Sequence, residues 1–112
     1  LTQRNADSLE FLHALGSLYC RAGHHERGMV FLLLAAKMAP DDTAVLHSLA
    51  EAFAETGAGP RAIAAIDRIE DISEAIDLAL LQRLRSKAQW FSGEKHRARE
   101  AFEAYLRARA AE

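Results

Sequence analysis

The sequence predicts an all-α fold of three tandem helix-turn-helix units, stacked as a short right-handed α-solenoid in a single domain over residues 1–112. Apolar residues recur about every 3.6 positions and nowhere alternate, which is the spacing of one buried helix face. Glycines stand at Gly23, Gly57 and Gly93, 34 and 36 residues apart, and five residues after each comes a small residue, Gly28, Ala62 or Ala98. Only 2 prolines and 6 glycines occur in 112 residues, too few for the many tight turns of a β-sandwich or barrel.

The predicted helices run over residues 8–22, 25–38, 43–56, 60–70, 72–91 and 95–109, giving units at about 9–42, 43–76 and 77–112. Asp7-x-x-Glu10 and Asp71-x-x-Glu74 read as capping boxes that open the first and fifth helices by satisfying orphan backbone donors. Gly59-Pro60 opens the fourth, because the missing N–H of proline costs nothing in a first turn. In the first unit, Leu12, Leu15-Gly16, Tyr19, Leu32, Ala35 and Pro40 hold the apolar, small, aromatic and terminating positions. Leu46, Leu49-Ala50, Phe53, Ala62 and Ile66 repeat them in the second, with Glu74 where the proline would stand. The third unit keeps Ala98, Phe102 and Tyr105. Counted back from Gly93, however, the apolar places of its first helix hold Gln82, Arg85, Ser86 and Gln89. A fifth helix of about 20 residues is expected to absorb the two extra residues, with Leu80, Leu81, Leu84, Ala88 and Phe91 as its apolar stripe. This set of residues resembles the tetratricopeptide (TPR) superfamily, in which two antiparallel helices make each 34-residue unit.

Composition narrows the function. With 14 Lys and Arg against 16 Asp and Glu, the formal net charge of −2 supplies no overall positive field to hold a nucleic-acid backbone or an anionic membrane. Cys20, the sole cysteine, cannot form an intrachain disulfide, which fits a reducing, cytoplasmic location. The longest apolar run, residues 29–36, is far shorter than the roughly 20 residues of a membrane span. The opening residues, Leu1-Thr2-Gln3-Arg4-Asn5, carry no signal-peptide pattern. Gly57-Ala58-Gly59 lacks the Lys-Ser/Thr of a phosphate loop and reads as a turn, so no cofactor is expected. Cys20 and His24 have no second ligand pair to complete a zinc site. No nucleophile elbow or paired-histidine metal motif is present, so no catalytic residue and no enzyme activity are expected. The acidic residues Asp67, Glu70, Asp71, Glu74 and Asp77, and the basic Arg83, Arg85, Lys87, Lys95, Arg97 and Arg99, read as solvated faces that pair with one another.

A TPR-like stack puts first helices on a concave face and second helices on a convex one. Core packing of Leu12, Leu15, Gly16 and Tyr19 then leaves Glu10, His13, Ser17, Cys20 and Arg21 turned toward the groove, and the third helix adds His47, Glu51, Ala54 and Glu55. The fifth helix contributes either Arg83, Lys87 and Trp90 or Gln82, Arg85 and Gln89. Such a groove suits a helical or extended segment of a protein client, whose carboxylates would meet the imidazoles of His13 and His47. The second helix carries a surplus. Gly28, Met29, Leu32, Ala35 and Ala36 suffice for its packing, yet Val30, Phe31, Leu33 and Leu34 are apolar too. That all-round hydrophobicity implies either cover from residues 1–8 or a surface for a partner or a second copy, worth roughly 1.5–3 kcal/mol per side chain fully buried.

Among TPR proteins, co-chaperones that clamp a C-terminal carboxylate use Lys and Asn on one first helix and Asn on the next. His13, Ser17 and Ser48 stand there instead, so that clamp is absent. The chain more closely resembles the small TPR chaperones of bacterial type III secretion, the YscY-like group, in its leucine-rich second helix and in Phe102, Tyr105 and Leu106 before a short charged tail. The resemblance implies a cytoplasmic chaperone that holds a secreted, partly disordered protein client. The alternative function is a scaffold or adaptor module of a larger protein.

Overall fold

A computed structural model describes residues 3–73 and 77–111. The described residues form six α-helices and no strand: α1 (Gln3–Arg21), α2 (His25–Met38), α3 (Thr43–Glu55), α4 (Gly59–Ile72), α5 (Leu78–Phe91) and α6 (Lys95–Ala110). The all-α expectation therefore holds.

The recurring glycines explain how the helices pair. Gly23, Gly57 and Gly93 have φ of 89°, 82° and 82°, in the left-handed region where a side chain is strained. Each ends its helix with the same two backbone bonds. The Gly23 N–H donates to Cys20 O at 3.0 Å and the His24 N–H to Tyr19 O at 2.9 Å, and the pattern repeats at Gly57 with Ala58 and at Gly93 with Glu94. This reversal satisfies orphan carbonyls and folds the chain back at once, so α1 packs on α2, α3 on α4 and α5 on α6.

Between these hairpins, α2 packs on α3 and α4 on α5, while α3 also touches α1 and α5. One core cluster joins Leu32 and Ala35 of α2 to Val45, Leu49, Ala52 and Phe53 of α3. A second joins Leu46 and Ala50 of α3, Ile66 and Ile69 of α4, and Leu81 and Leu84 of α5. α1 and α2 approach closely because glycines face each other: a Cβ at Gly28 would lie 2.7 Å from Gly16 O and 2.4 Å from Cys20 Sγ.

Several local expectations are corrected. α1 begins at Gln3, so Asp7 lies inside the helix, where Gln3 Nε2 donates to its carboxylate at 2.9 Å, and the box with Glu10 is not a cap. Asp71 belongs to the last turn of α4, and Glu74 lies outside the described residues. The fifth helix is 14 residues rather than about 20, because Asp77 caps it by accepting from the Leu80 N–H at 3.0 Å. α5 is one residue longer than α3, 14 against 13, and Asp42 caps α3 in the same way through the Val45 N–H at 3.1 Å. Residues 3–8 extend α1 and leave Val30, Leu33 and Leu34 of α2 exposed at 56%, 43% and 47%. Phe31 leaves that exposed set: it is half-buried and stacks on Tyr19, with ring centroids 5.5 Å apart.

Candidate functional site

The side chains expected at the groove lie on helices α1, α3 and α5, linked by a series of polar contacts. His13 Nε2 of α1 meets Ser48 Oγ of α3 at 2.8 Å. Arg83 Nη2 of α5 donates to Glu51 Oε1 of α3 at 2.6 Å, and Lys87 donates to Glu55 one turn further on. His25 Nδ1 of α2 faces the other oxygen of Glu55 at 3.1 Å without the alignment of a hydrogen bond, so this contact is electrostatic and depends on protonation of the ring.

These pairs settle the register of α5. Arg83 and Lys87 stand opposite Glu51 and Glu55, and the alternative trio turns elsewhere. Arg85 reaches α4, donating to Asp67 at 2.8 Å and Glu70 at 2.6 Å, while Gln82 and Gln89 border the seam with α6. Ser86, beside them, donates to Ala98 O at 2.8 Å.

Between α1 and α3 lies an open cleft of about 270 Å³. Ser17, Cys20, Arg21, Ser48, Glu51 and Glu55 form its rim, and Leu32 and Ala52 its apolar floor. The cleft collects five of the expected groove residues. His13 adjoins it through Ser48, whereas His47 lies toward α5, where the charges of Asp77 and Arg83 reach it. Sequence reading passed over Ser48 as a groove group and left Arg83 and Lys87 undecided. The signal for those two was present: His13, His47 and Arg83 fall on one series at the repeat spacings of 34 and 36, and Ser17, Glu51 and Lys87 on another.

Burial, reinforced by Glu55 and Glu51, raises the pKa of the Cys20 thiol and keeps it protonated and unreactive at neutral pH. Burial also lowers the pKa of His47, outweighing the opposing pull of Glu51 and Asp77, and Arg83 adds to the lowering. The neutral ring leaves Nδ1 buried with no partner among the described residues. With His47 held neutral, the charged groups around the cleft are the carboxylates of Glu51 and Glu55, paired with Arg83 and Lys87 of α5, and the guanidinium of Arg21. The cleft sets polar and charged side chains around an apolar floor.

No protein-family model matches the chain, and no curated protein matches it. Among the described residues, no group of three or more His, Cys, Asp or Glu side chains is placed to hold a metal ion, and no helix is long and apolar enough to cross a membrane.

Proposed function

We propose that the three hairpins form a short right-handed TPR-type solenoid, and that this solenoid is a cytoplasmic protein-binding module without enzyme activity. Its role in this reading is that of a small chaperone holding a segment of a secreted or partly disordered protein client, of the kind that serves type III secretion. The observation that carries the reading is the polar cleft. Equivalent positions of successive first helices, Ser17 and Glu51, meet around an apolar floor, so that one segment would contact more than one hairpin. A client segment would exchange hydrogen bonds with Ser17 and the other polar groups of the rim and set small apolar side chains on Leu32 and Ala52, a combination that recognises main chain and side chain together. The apolar side chains Val30 and Leu33 on α2 offer a second contact for the same client.

The test places a photo-crosslinking residue at Arg21, on the rim of the cleft, and a control crosslinker at Arg99, on an exposed position of α6. The expected result is one captured protein from Arg21 and none from Arg99. Ser17→Trp, which fills the cleft, should weaken that capture about tenfold or more, roughly 1.4 kcal/mol, with helicity retained. Equal capture from Arg99, or capture indifferent to Ser17→Trp, would move binding away from the cleft.

A further inference from the structure

The two ends of the stack carry the two halves of a joint that the molecule uses twice inside itself. In each internal joint the earlier hairpin offers a large aliphatic residue from its second helix, Leu32 or Ile66, both fully buried. The later hairpin answers with the first helix: Leu32 shares its core cluster with Val45 and Ala52, and Ile66 shares its own with Leu81. At the repeat spacings of 34 and 36, the residue that continues Leu32 and Ile66 is Phe102 of α6, and those that precede Val45 and Ala52 are Phe11 and Leu18 of α1. All three are apolar. Among the described residues they stay half exposed or more open: Phe11 is 64% exposed, Leu18 57% and Phe102, whose ring lies against Tyr105 of its own helix, 46%, with Leu106 one turn further along α6 at 48%.

The same comparison extends to α2. Arg68 of α4 reaches back to Asp41 in the connection before α3, so its position looks toward the preceding hairpin. The residue 34 places before Arg68 is Leu34, apolar and half exposed. The outward face of the first hairpin is thus apolar on both of its helices.

We infer that the occupant of this face is the outward face of α6 in a second copy of the chain, docked head to tail as a continuation of the internal stacking. The complementary half is present in every copy, and the geometry to be repeated is already realised between α2 and α3 and between α4 and α5. The end joint is bulkier than the internal ones. Phe102 meets Phe11 and Leu18 where Leu32 meets Val45 and Ala52, so the partner helices sit further apart and aromatic area replaces close backbone approach. A head-to-tail contact does not close on itself, so association continues beyond a dimer. This inference rests on the helix packing alone and stands or falls separately from the client reading.

Sedimentation velocity over a range from micromolar to millimolar protein tests it. The mass average of the wild type should rise with concentration past twice the 12.4 kDa of one chain. Two variants separate the ends: Phe11→Glu with Leu18→Glu, and Phe102→Glu with Leu106→Glu. All four positions are exposed, so each variant should keep its helical circular dichroism. Each alone should sediment as a monomer. Mixed in equal amounts, they should form one capped dimer, because each retains the half the other has lost. Dimers in one variant alone would show a face pairing with its own kind and overturn the head-to-tail assignment. A wild type that stays monomeric throughout, or a mixture that fails to dimerise, would overturn it as well.

Discussion

Gly28 shows how a single missing methyl group sets the spacing of two helices. In a helix interior, alanine is intrinsically better than glycine by about 1 kcal/mol. At Gly28 that gain is outweighed, since the added carbon would fall 2.7 Å from Gly16 O, a main-chain atom that cannot turn aside, and 2.4 Å from Cys20 Sγ. Gly28→Ala should therefore destabilise the protein by about 1–3 kcal/mol net, read as a lower urea midpoint with an unchanged slope. An unchanged or raised midpoint would mean that α1 and α2 separate at no cost. The row of Gly28, Ala62 and Ala98 made the need for a small residue legible in the sequence. The role of Cys20 was not, because the contact that confines Gly28 depends on how two helices cross. His47 marks the same boundary: its place in the repeat could be counted, but burial by its neighbours decides its charge.

Among the helices, the third hairpin departs most from its fellows. The position held by Tyr19 and Phe53 in the first two hairpins is Gln89 here, and its Oε1 is buried with no hydrogen-bond partner. An unpaired buried amide oxygen costs about 1–3 kcal/mol, and an apolar side chain of similar size removes that cost. Gln89→Leu should raise stability by about 1 kcal/mol in urea unfolding, and a loss would show that Gln89 is satisfied by water. The sequence located this polar seam by counting back from Gly93, yet it misjudged the helix that carries it. An apolar stripe can be read from periodicity, but the start of α5 rests on one carboxylate, Asp77, accepting one N–H, and many aspartates offer that locally. The early start of α1 escaped for a similar reason: residues 3–7 have no apolar rhythm, and their helix is supported by an exposed pair such as Gln3 with Asp7.

Across the whole molecule, extents of 43 by 30 by 20 Å leave α3 at the centre, in contact with α1, α2, α4 and α5. α6 packs only on α5 and buries just Ala98 and Ala101. Opening free energies should follow that inequality. Native-state hydrogen exchange should find the slowest amides in α3 and the fastest helical ones in α6, and equal protection of the two would show that the molecule opens only as one unit. The ion pairs between separate elements add a sense of direction. In every such pair formed by Lys or Arg among the described residues, the base comes later in the chain and the acid earlier: Arg68 to Asp41, Arg83 to Glu51, Arg85 to Asp67 and Glu70, and Lys87 to Glu55. The exposed one, Arg68 with Asp41, contributes little to stability, about 0–1 kcal/mol, and the others are partly buried. Their arrangement nonetheless acts as an address. A hairpin that docked out of turn would lose its opposite charge or face a like one, so the order in which the units assemble is written in signs as well as in shapes.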